Sequence, residues 1–346
     1  MNLPDLARRT GRLAAVTARH RLSPIEARRA HQRGWHVSLW LVLTVLACCG
    51  IWVVTSTAAP RHPTAMTTTA QRPATTRTTS SMRSLTIGAT QRTYLVVAPA
   101  DQRTALPLLV ILHGRAITPQ QEEIRTDFLA LAQQGKAVLV YPVGYRQSWN
   151  AGGDCCGDAG TALVDDSAFL AALSGDVASH FSIDPSRVYL VGYSNGARMA
   201  FTEICAHPSL FAAFAVYAAV PTQTCTDGSI PVPAWIGAGT ADPELSTTNP
   251  ARTTTQVIES VVATWRARDG CGTTPASTTI PPARLTLWAN CRGGSAVESV
   301  LYRGVNHYWP RATTQADIPF NTAVGTQAAA AALMWAFLSA HHSPRG

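Results

Sequence analysis

The chain has 346 residues, of which 46% are hydrophobic and 14% are charged. This composition excludes a disordered or fibrous protein, and the length is enough for one large domain or two ordinary ones. The net charge of +8 comes mostly from residues 1–36, which hold eight arginines against two acidic residues. The rest of the chain shows no basic face interleaved with aromatic side chains, so nucleic-acid binding is not expected.

An uncharged apolar run over residues 37–54 follows this basic segment. A helix of that length spans roughly 27 Å, which just crosses a bilayer core. Because the arginine-rich residues 1–36 should stay in the cytoplasm, the rest of the chain is predicted to lie outside the membrane. We therefore expect residues 37–54 to be a transmembrane signal anchor, with the membrane as a partner. A cleaved signal peptide, or lipoprotein processing at Cys48, remains open as an alternative.

Residues 55–84 are rich in threonine, serine, alanine and proline and contain no acidic residue. Such a stretch buries too little apolar surface to offset its ordering entropy, so we expect a disordered, extended linker. From Leu85 onward the composition is that of a globular protein. Residues 85–346 are therefore predicted to form one extracytoplasmic domain.

Short apolar runs and amphipathic stretches alternate through that domain, which predicts strands separated by helices. The predicted strands are 92–97, 108–112, 137–141, 187–191, 214–219, 232–237, 284–288 and 299–302. The predicted helices are 120–134, 167–180, 195–206, 255–268 and 326–339. This order indicates an α/β fold with a mostly parallel central sheet and helices on both faces.

Six of the eight cysteines lie in the predicted exported domain. An even number of cysteines in an oxidising compartment points to disulfides. Cys271 and Cys291 flank a short excursion between a predicted helix and a predicted strand, and we expect them to pair. The pairing is open for the other four, which are Cys155, Cys156, Cys205 and Cys225. No metal site is expected, because the two adjacent cysteines lack the C-x₂-C spacing of a zinc site.

The strongest chemical signal is the G-x-S-x-G pattern of residues 192–196, which centres on Ser194. It follows a predicted strand and opens into a predicted helix, which is the arrangement of a nucleophile elbow. The flanking glycines leave room beside a serine that is held at strained backbone angles. Ser194 is therefore the predicted nucleophile of an acyl transfer.

A serine nucleophile needs a histidine base, and in α/β-hydrolases this histidine is the last member of the triad in the chain. His307 lies in a loop directly after a predicted strand. His207 follows the elbow helix too closely to reach back over the sheet, and His341-His342 lie at the terminus. His307 is therefore the predicted base.

The acid that orients this base should come between Ser194 and His307 in the chain. Asp242 follows the strand predicted at residues 232–237, at the carboxyl end where open α/β sheets place their sites. It is the predicted acid, with Glu244 and Asp227 as rivals.

Two backbone N–H groups are expected to form the oxyanion hole. One belongs to Asn195, directly after the nucleophile, and the other to Arg115, in the loop after the strand predicted at 108–112. His113 in the same loop is expected to be structural. No nucleotide-binding glycine pattern is present, so no cofactor is expected.

These motifs and longer stretches resemble the secreted polyhydroxybutyrate depolymerase and feruloyl esterase family and its actinobacterial lipoprotein relatives. The shared stretches are RTYLVVAP, LLVILHG, VLVYPVGYRQSWNAGGDCCG, VDDSAFL, IDPSRVYLVGYSNGARMA, LFAAFAVYAA, GTADP and VNHYWP. The resemblance implies an α/β-hydrolase fold, no cofactor, and hydrolysis of carboxylic esters through an acyl-enzyme. It implies that Ser194, Asp242 and His307 form the triad, and it places Trp149 near the mouth of the site.

Trp149, Tyr193 and Trp309 are predicted to contact the substrate. The family often has histidine where Ala238 stands and a smaller residue or cysteine where Arg115 stands, so the substrate preference is open. The expected function is an extracytoplasmic serine esterase acting on a small or oligomeric ester. Two alternatives remain: a cell-envelope acyltransferase on the same triad, and a catalytically silent envelope-binding protein on a hydrolase scaffold.

Overall fold

The computed structural model describes residues 75–225, 228–314 and 318–343. The basic segment of residues 1–36, the predicted membrane anchor of residues 37–54, and the rival acid Asp227 lie outside these ranges. Within the described ranges, no helix is both long and apolar enough to cross a membrane.

A ten-stranded sheet runs through the domain. Its strands are β1 (Thr78–Ile87), β2 (Thr90–Pro99), β3 (Leu106–Leu112), β4 (Val138–Pro142), β5 (Ile183–Tyr193), β6 (Ala213–Tyr217), β7 (Ala234–Gly239), β8 (Ala276–Ile280), β9 (Ala283–Trp288) and β10 (Val297–Tyr302). They lie in the order β1-β2-β4-β3-β5-β6-β7-β10-β9-β8. The central strands from β4 to β10 pair in parallel, and an antiparallel pair of strands joins each edge. The prediction of a mostly parallel sheet is confirmed.

Helices cover both faces of this sheet. They are α1 (Pro119–Thr126), α2 (Leu129–Gln133), α3 (Gly157–Thr161), α4 (Asp166–Ala178), α5 (Asn195–Ala206), α6 (Pro243–Thr248), α7 (Thr254–Asp269) and α8 (Ala330–Leu338). One apolar core packs the sheet against α4, α5 and α7, and a second packs the opposite face against α2 and α8. Alternate residues of a strand point to opposite faces, so Leu108 and Val110 enter the first core and Leu109 enters the second. This two-sided burial explains why the central strands are apolar throughout.

The edge strands differ from the prediction. Residues 78–84 of the predicted linker lie in β1, which pairs antiparallel with β2. Residues of β1 are exposed or half-buried along its whole length, and β8 (Ala276–Ile280) is similarly exposed. Such strands are held by backbone hydrogen bonds and need few buried side chains, so their composition resembles that of a linker. The domain therefore includes residues before Leu85.

Three disulfides lie within the described ranges: Cys155–Cys156, Cys205–Cys225 and Cys271–Cys291. The expected pair Cys271–Cys291 is thus present, and it ties the end of α7 to the chain just before β10. The Cys205–Cys225 bond ties the end of α5 to the loop after β6. In the chain-entropy model, a closed loop of this size stabilises the fold by about 3 kcal/mol.

A buried carboxyl group in β10 is expected to make the stability depend on pH. Glu298 pairs across the sheet with Trp235 of β7 and Leu287 of β9. Burial raises the pKa of Glu298 from 4.5 to about 7. Because the pKa is higher in the folded than in the unfolded state, protonated Glu298 favours folding relative to the ionised form. This contribution to stability is complete below the unfolded pKa and is lost as the pH rises through about 7. The difference between the two pKa values means that the ionised carboxylate lowers the free energy of unfolding by about 3 kcal/mol.

Glu298→Gln is therefore expected to raise the free energy of unfolding by up to about 3 kcal/mol near pH 8. Near pH 4.5, where the native carboxyl group is neutral, the two proteins should be nearly equal in stability. Urea unfolding of both proteins at each pH measures the difference. The same stability difference at both pH values would contradict the assignment.

Candidate active site

Ser194 occupies the turn between β5 and α5. Its backbone angles are φ 52° and ψ −118°, a combination that non-glycine residues rarely adopt. A Cβ atom on Gly192 would collide with the carbonyl oxygen of Gly196, and one on Gly196 would collide with that of Leu112. The two glycines thus let the chain turn sharply enough to present the serine hydroxyl beyond the carboxyl edge of the sheet.

The three predicted triad residues come together at this edge. His307 Nε2 lies 2.9 Å from Ser194 Oγ, and His307 Nδ1 lies 2.8 Å from Asp242 Oδ2. With Nδ1–H donating to the carboxylate, the Nε2 lone pair accepts the serine hydroxyl. The arrangement can therefore take a proton from Ser194 during nucleophilic attack.

Asp242 is held by the helix that it begins. It is the N-cap of α6, and its Oδ1 accepts hydrogen bonds from the N–H groups of Glu244 (2.9 Å) and Leu245 (3.2 Å). Its own carbonyl oxygen accepts the Thr254 hydroxyl at 3.0 Å. One carboxylate oxygen thus caps the helix while the other, Oδ2, faces His307. The fully buried carboxylate is fixed on both sides.

The rival acid Glu244 lies on the other side of the imidazole. Its Oε2 is 3.4 Å from His307 Nε2, the nitrogen that faces Ser194, and its side chain is 66% exposed. A carboxylate in that position cannot orient the ring through Nδ1. Glu244 therefore faces the substrate side of the site.

The loop that carries His307 is anchored from below by Tyr193. The Tyr193 hydroxyl donates to the His307 carbonyl oxygen at 3.0 Å, and the two rings lie 5.4 Å apart. Burial raises the pKa of Tyr193 above its usual range, so the phenol keeps the proton that it donates. The buried guanidinium of Arg125 lies over the Tyr193 ring, 4.0 Å from its centroid. Tyr193 lines the cavity above Ser194 and also holds the base in place; its contact with substrate stays a prediction.

The two groups predicted for the oxyanion hole lie beside Ser194. Asn195 is the first residue of α5, so its N–H has no acceptor within the helix. Arg115 lines the same cavity, and the next N–H along, that of Ala116, donates to the Gln147 carbonyl at 2.9 Å. The assignment of the Asn195 and Arg115 N–H groups as oxyanion donors stays a prediction.

His113 fixes the loop that carries Arg115. Its Nδ1 is 2.8 Å from the carbonyl oxygen of Gly114, and its Nε2 accepts the N–H of Gly144 at 3.0 Å. Burial lowers the pKa of His113 to about 4, so the ring is neutral and this hydrogen-bond pattern assigns the proton to Nδ1. The structure thus gives His113 the structural position expected from the sequence.

Trp149 and Trp309 do not line the cavity, in contrast to the prediction. Both are fully buried. Trp149 donates its indole N–H to the His113 carbonyl at 2.9 Å, and its backbone exchanges two hydrogen bonds with the Asn195 side chain. Trp309 packs edge-on against Phe128 of the second core. Both rings therefore support the site from beneath. Their closeness to the motifs in sequence does not bring them to the cavity, because large apolar rings gain the most free energy when they are buried.

A cavity of about 410 Å³ opens over Ser194. It is lined by Arg115, Ala116, Ile117, Tyr193, Ser194, Pro243, Glu244, Asn306, His307, Tyr308 and Phe320. Sequence reasoning missed the aromatic residues Tyr308 and Phe320; the first adjoins His307 in the chain, but no motif marks the second. Within the described ranges, no cluster of three His, Cys, Asp or Glu side chains is placed to hold a metal ion.

Comparison with known proteins gives consistent results. Residues 92–229 match the family model described as Esterase PHB depolymerase. The chain is 28% identical over 243 residues to the "Putative esterase NocK" of Nocardia uniformis subsp. tsuyamanensis, covering 63% of this chain and 68% of that protein. It is 26% identical over 222 residues to feruloyl esterase B of Piromyces equi, covering 59% of this chain and 40% of that longer protein.

The fold is also similar to that of a solved esterase. Acetyl xylan esterase from Aspergillus awamori superposes with a TM-score of 0.50 at 17% identity, covering 66% of this chain and 94% of that one. The resemblance drawn from the sequence motifs is confirmed by these matches. Residues 92–229 thus resemble an Esterase PHB depolymerase domain, and the chain is an enzyme that hydrolyses carboxylic ester bonds.

Proposed function

We propose that this enzyme is an extracytoplasmic serine esterase that acts through an acyl-enzyme on Ser194. The observation that supports this most strongly is the continuous hydrogen-bonded chain from Ser194 Oγ through His307 to the buried Asp242. It lies at the floor of a cavity that is open to an ester.

Acylation begins when His307 Nε2 takes the hydroxyl proton of Ser194 and Oγ attacks the ester carbonyl carbon. The carbonyl oxygen becomes an oxyanion, which the N–H groups of Asn195 and Arg115 would stabilise. Asp242 stabilises the imidazolium that forms in this step. The bond to the alcohol oxygen then breaks, and that oxygen takes the proton from Nε2 as the alcohol leaves.

Deacylation repeats the sequence with water in place of the serine hydroxyl. His307 Nε2 takes a proton from water, whose oxygen attacks the acyl carbon of the ester formed on Ser194. When the bond to Oγ breaks, the serine recovers its proton from the imidazolium and the acid is released. The cycle consumes one ester and one water and needs no other reactant.

The substrate class that we propose is an ester of a carbohydrate hydroxyl group. The names of the relatives support it: one is a feruloyl esterase and a structural neighbour is an acetyl xylan esterase. The extracytoplasmic location is supported by the Cys205–Cys225 and Cys271–Cys291 disulfides, since such bonds persist in oxidising compartments. Anchoring through residues 37–54 remains part of this proposal.

Labelling with a fluorophosphonate tests the proposed nucleophile. The full-length protein, prepared under oxidising conditions, is expected to form one adduct on Ser194, and His307→Ala should abolish it. Peptide mapping by mass spectrometry locates the adduct. A folded protein that takes no label at Ser194 would favour the catalytically silent binding protein.

Ser167 provides a matched control for this experiment. It also lies near a histidine and a carboxylate, with its Oγ 3.3 Å from His207 Nδ1 and donating to Glu203 at 2.6 Å. Glu203 contacts the same ring nitrogen at 3.0 Å, so the serine and the carboxylate do not face opposite nitrogens of the ring as they do in a triad. Ser167→Ala should therefore retain labelling at Ser194, and an adduct on Ser167 would contradict the assignment.

The fate of the acyl group separates hydrolysis from transfer. In the presence of excess xylose or glycerol, we expect the free acid to remain the main product. A main product that carries the acyl group on the added alcohol would identify an acyltransferase instead.

A further inference from the structure

Two exposed aromatic rings stand at the rim of the cavity, and the reaction described above does not use them. Tyr308 is 38% exposed and Phe320 is 48% exposed. Their centroids lie 5.8 Å apart in an edge-to-face arrangement, and both rings line the cavity over Ser194. What distinguishes this aromatic rim (Tyr308 and Phe320) from other exposed apolar side chains is that its two rings contact each other at the cavity.

A separate two-stranded sheet brings the rim together. Strand β11 (Trp309–Arg311) pairs in parallel with β12 (Asn321–Ala323), with Trp309 opposite Asn321. Tyr308 and Phe320 each directly precede one of these strands, so the register places them side by side. The Trp309 N–H donates to the Phe320 carbonyl oxygen at 2.8 Å and fixes this end of the pair. The strand pairing thus places the Phe320 ring beside Tyr308, the residue that follows the base His307.

The backbone of Phe320 is strained. Its φ is 58°, in the left-handed region that a bulky residue adopts only at a cost in energy. Glycine would relieve that strain, and removing the ring would expose less apolar surface to water. Strain that is retained at the edge of an active site points to a function for the side chain.

The rim lies on the side of the cavity where the alcohol must leave. The leaving oxygen takes its proton from His307 Nε2, so the alcohol part of the ester is next to this imidazole. Tyr308 follows His307 in the chain, and Glu244 Oε2 lies 3.4 Å from Nε2. With the predicted oxyanion donors, the carbonyl oxygen would instead point to the N–H groups of Arg115 and Asn195. An alcohol leaving group beside His307 would therefore lie within reach of Glu244 and of the rim that lines the same cavity.

We propose that Tyr308, Phe320 and Glu244 form a subsite for a sugar ring that serves as the leaving alcohol. The proposal rests on the proposed esterase function and names the part of the substrate that this chain selects. A pyranose ring has C–H faces that pack on the negative face of an aromatic ring, and hydroxyl groups along its edge. Those hydroxyls can donate to the exposed Glu244 carboxylate in charge-assisted hydrogen bonds.

Phe320→Gly tests the subsite, because it removes the ring while allowing the native backbone angles. The readout is the ratio of kcat/KM for acetylated xylobiose to kcat/KM for ethyl acetate. Both substrates transfer the same acyl group, and only the first has a sugar as its alcohol. We expect the ratio to fall about 3- to 10-fold, the effect of losing one aromatic contact. Glu244→Gln should lower the same ratio.

Tyr145→Ala is the matched control, since this tyrosine is exposed to a similar degree (36%) and does not line the cavity over Ser194. It should leave the ratio unchanged. The Tm of Phe320→Gly is expected to stay the same or to rise by about 2–4 °C, because backbone strain is relieved. A fall in Tm with an unchanged ratio would show that Phe320 only supports the fold and would overturn the proposal.

A third substrate separates the two ends of the ester. Methyl ferulate has an aromatic acyl group and a small alcohol. If Phe320→Gly lowers the kcat/KM for methyl ferulate and leaves acetylated xylobiose unaffected, the rim binds the acyl group and the proposal is wrong. Failure of the esterase function itself would look different, since the unsubstituted protein would then hydrolyse none of the three esters.

Discussion

Ser194→Ala is expected to lower kcat by about 10⁴- to 10⁶-fold on every ester tested, because no other atom can form the acyl-enzyme. The binding cavity and the oxyanion donors are unaffected by the change, so KM should move much less than kcat. Activity that survives the substitution would come from transition-state stabilisation alone. Steady-state hydrolysis of ethyl acetate, followed by acid release, measures both constants.

The substitution should leave the fold intact. The Ser194 N–H donates to the Tyr217 carbonyl at 3.0 Å, and alanine retains that bond. The strained φ of 52° is not relieved, because alanine also carries a Cβ atom. We therefore expect a Tm within a few degrees of that of the unsubstituted protein. If more than about 1% of kcat remained, the reaction would not pass through an ester on Ser194.

The nucleophile elbow could be predicted from the sequence because its geometry depends on local constraints. Only glycine fits at residues 192 and 196, and only a strand followed by a helix produces the turn. The order of acid and base along the chain, together with positions after strands, then favours Asp242 and His307, with Glu244 and Asp227 left as rival acids. The structure brings these residues within hydrogen-bonding distance of one another.

The rim of the cavity could not be predicted in the same way. Phe320 reaches the site through the pairing of β12 with β11, and nothing in the residues around it indicates that register. The family motif around Trp149 predicts that this ring contacts the substrate, whereas the ring is buried and supports Asn195 and His113. Motif membership indicates that a residue matters but does not indicate whether it faces the substrate or the core.

The edge of the domain was missed for a different reason. Composition separates buried from exposed segments, and β1 (Thr78–Ile87) is mostly exposed, so composition alone assigns residues 78–84 to the linker. Its order comes from a full ladder of backbone pairing with β2 (Thr90–Pro99), to which the side chains contribute little. The two strands form a local hairpin, in which Ile87 lies opposite Thr90, but strand propensity depends on the packing of side chains, so an exposed strand leaves only a weak signal in a single sequence.

Asp242→Asn is expected to lower kcat by about 10⁴-fold with little change in KM. Asparagine can still cap α6 through its Oδ1, so the N–H groups of Glu244 and Leu245 keep their acceptor. Its amide nitrogen then faces His307 Nδ1 as a donor. The imidazole must accept there and carry its proton on Nε2, which leaves no lone pair for the Ser194 hydroxyl.

Two further substitutions separate the roles of this carboxylate. Asp242→Ala should lose activity to a similar degree and also lose the helix cap, which lowers the stability by about 1 kcal/mol, whereas Asp242→Asn should not. Glu244→Gln tests the rival acid and is expected to reduce kcat on ethyl acetate by less than about tenfold, because that carboxylate faces Nε2 and is exposed to solvent. A greater loss for Glu244→Gln than for Asp242→Asn would transfer the role of the acid to Glu244. Because Asp242 is fully buried and caps α6 while the Glu244 side chain is 66% exposed, the order of the two effects shows which carboxylate orients the base.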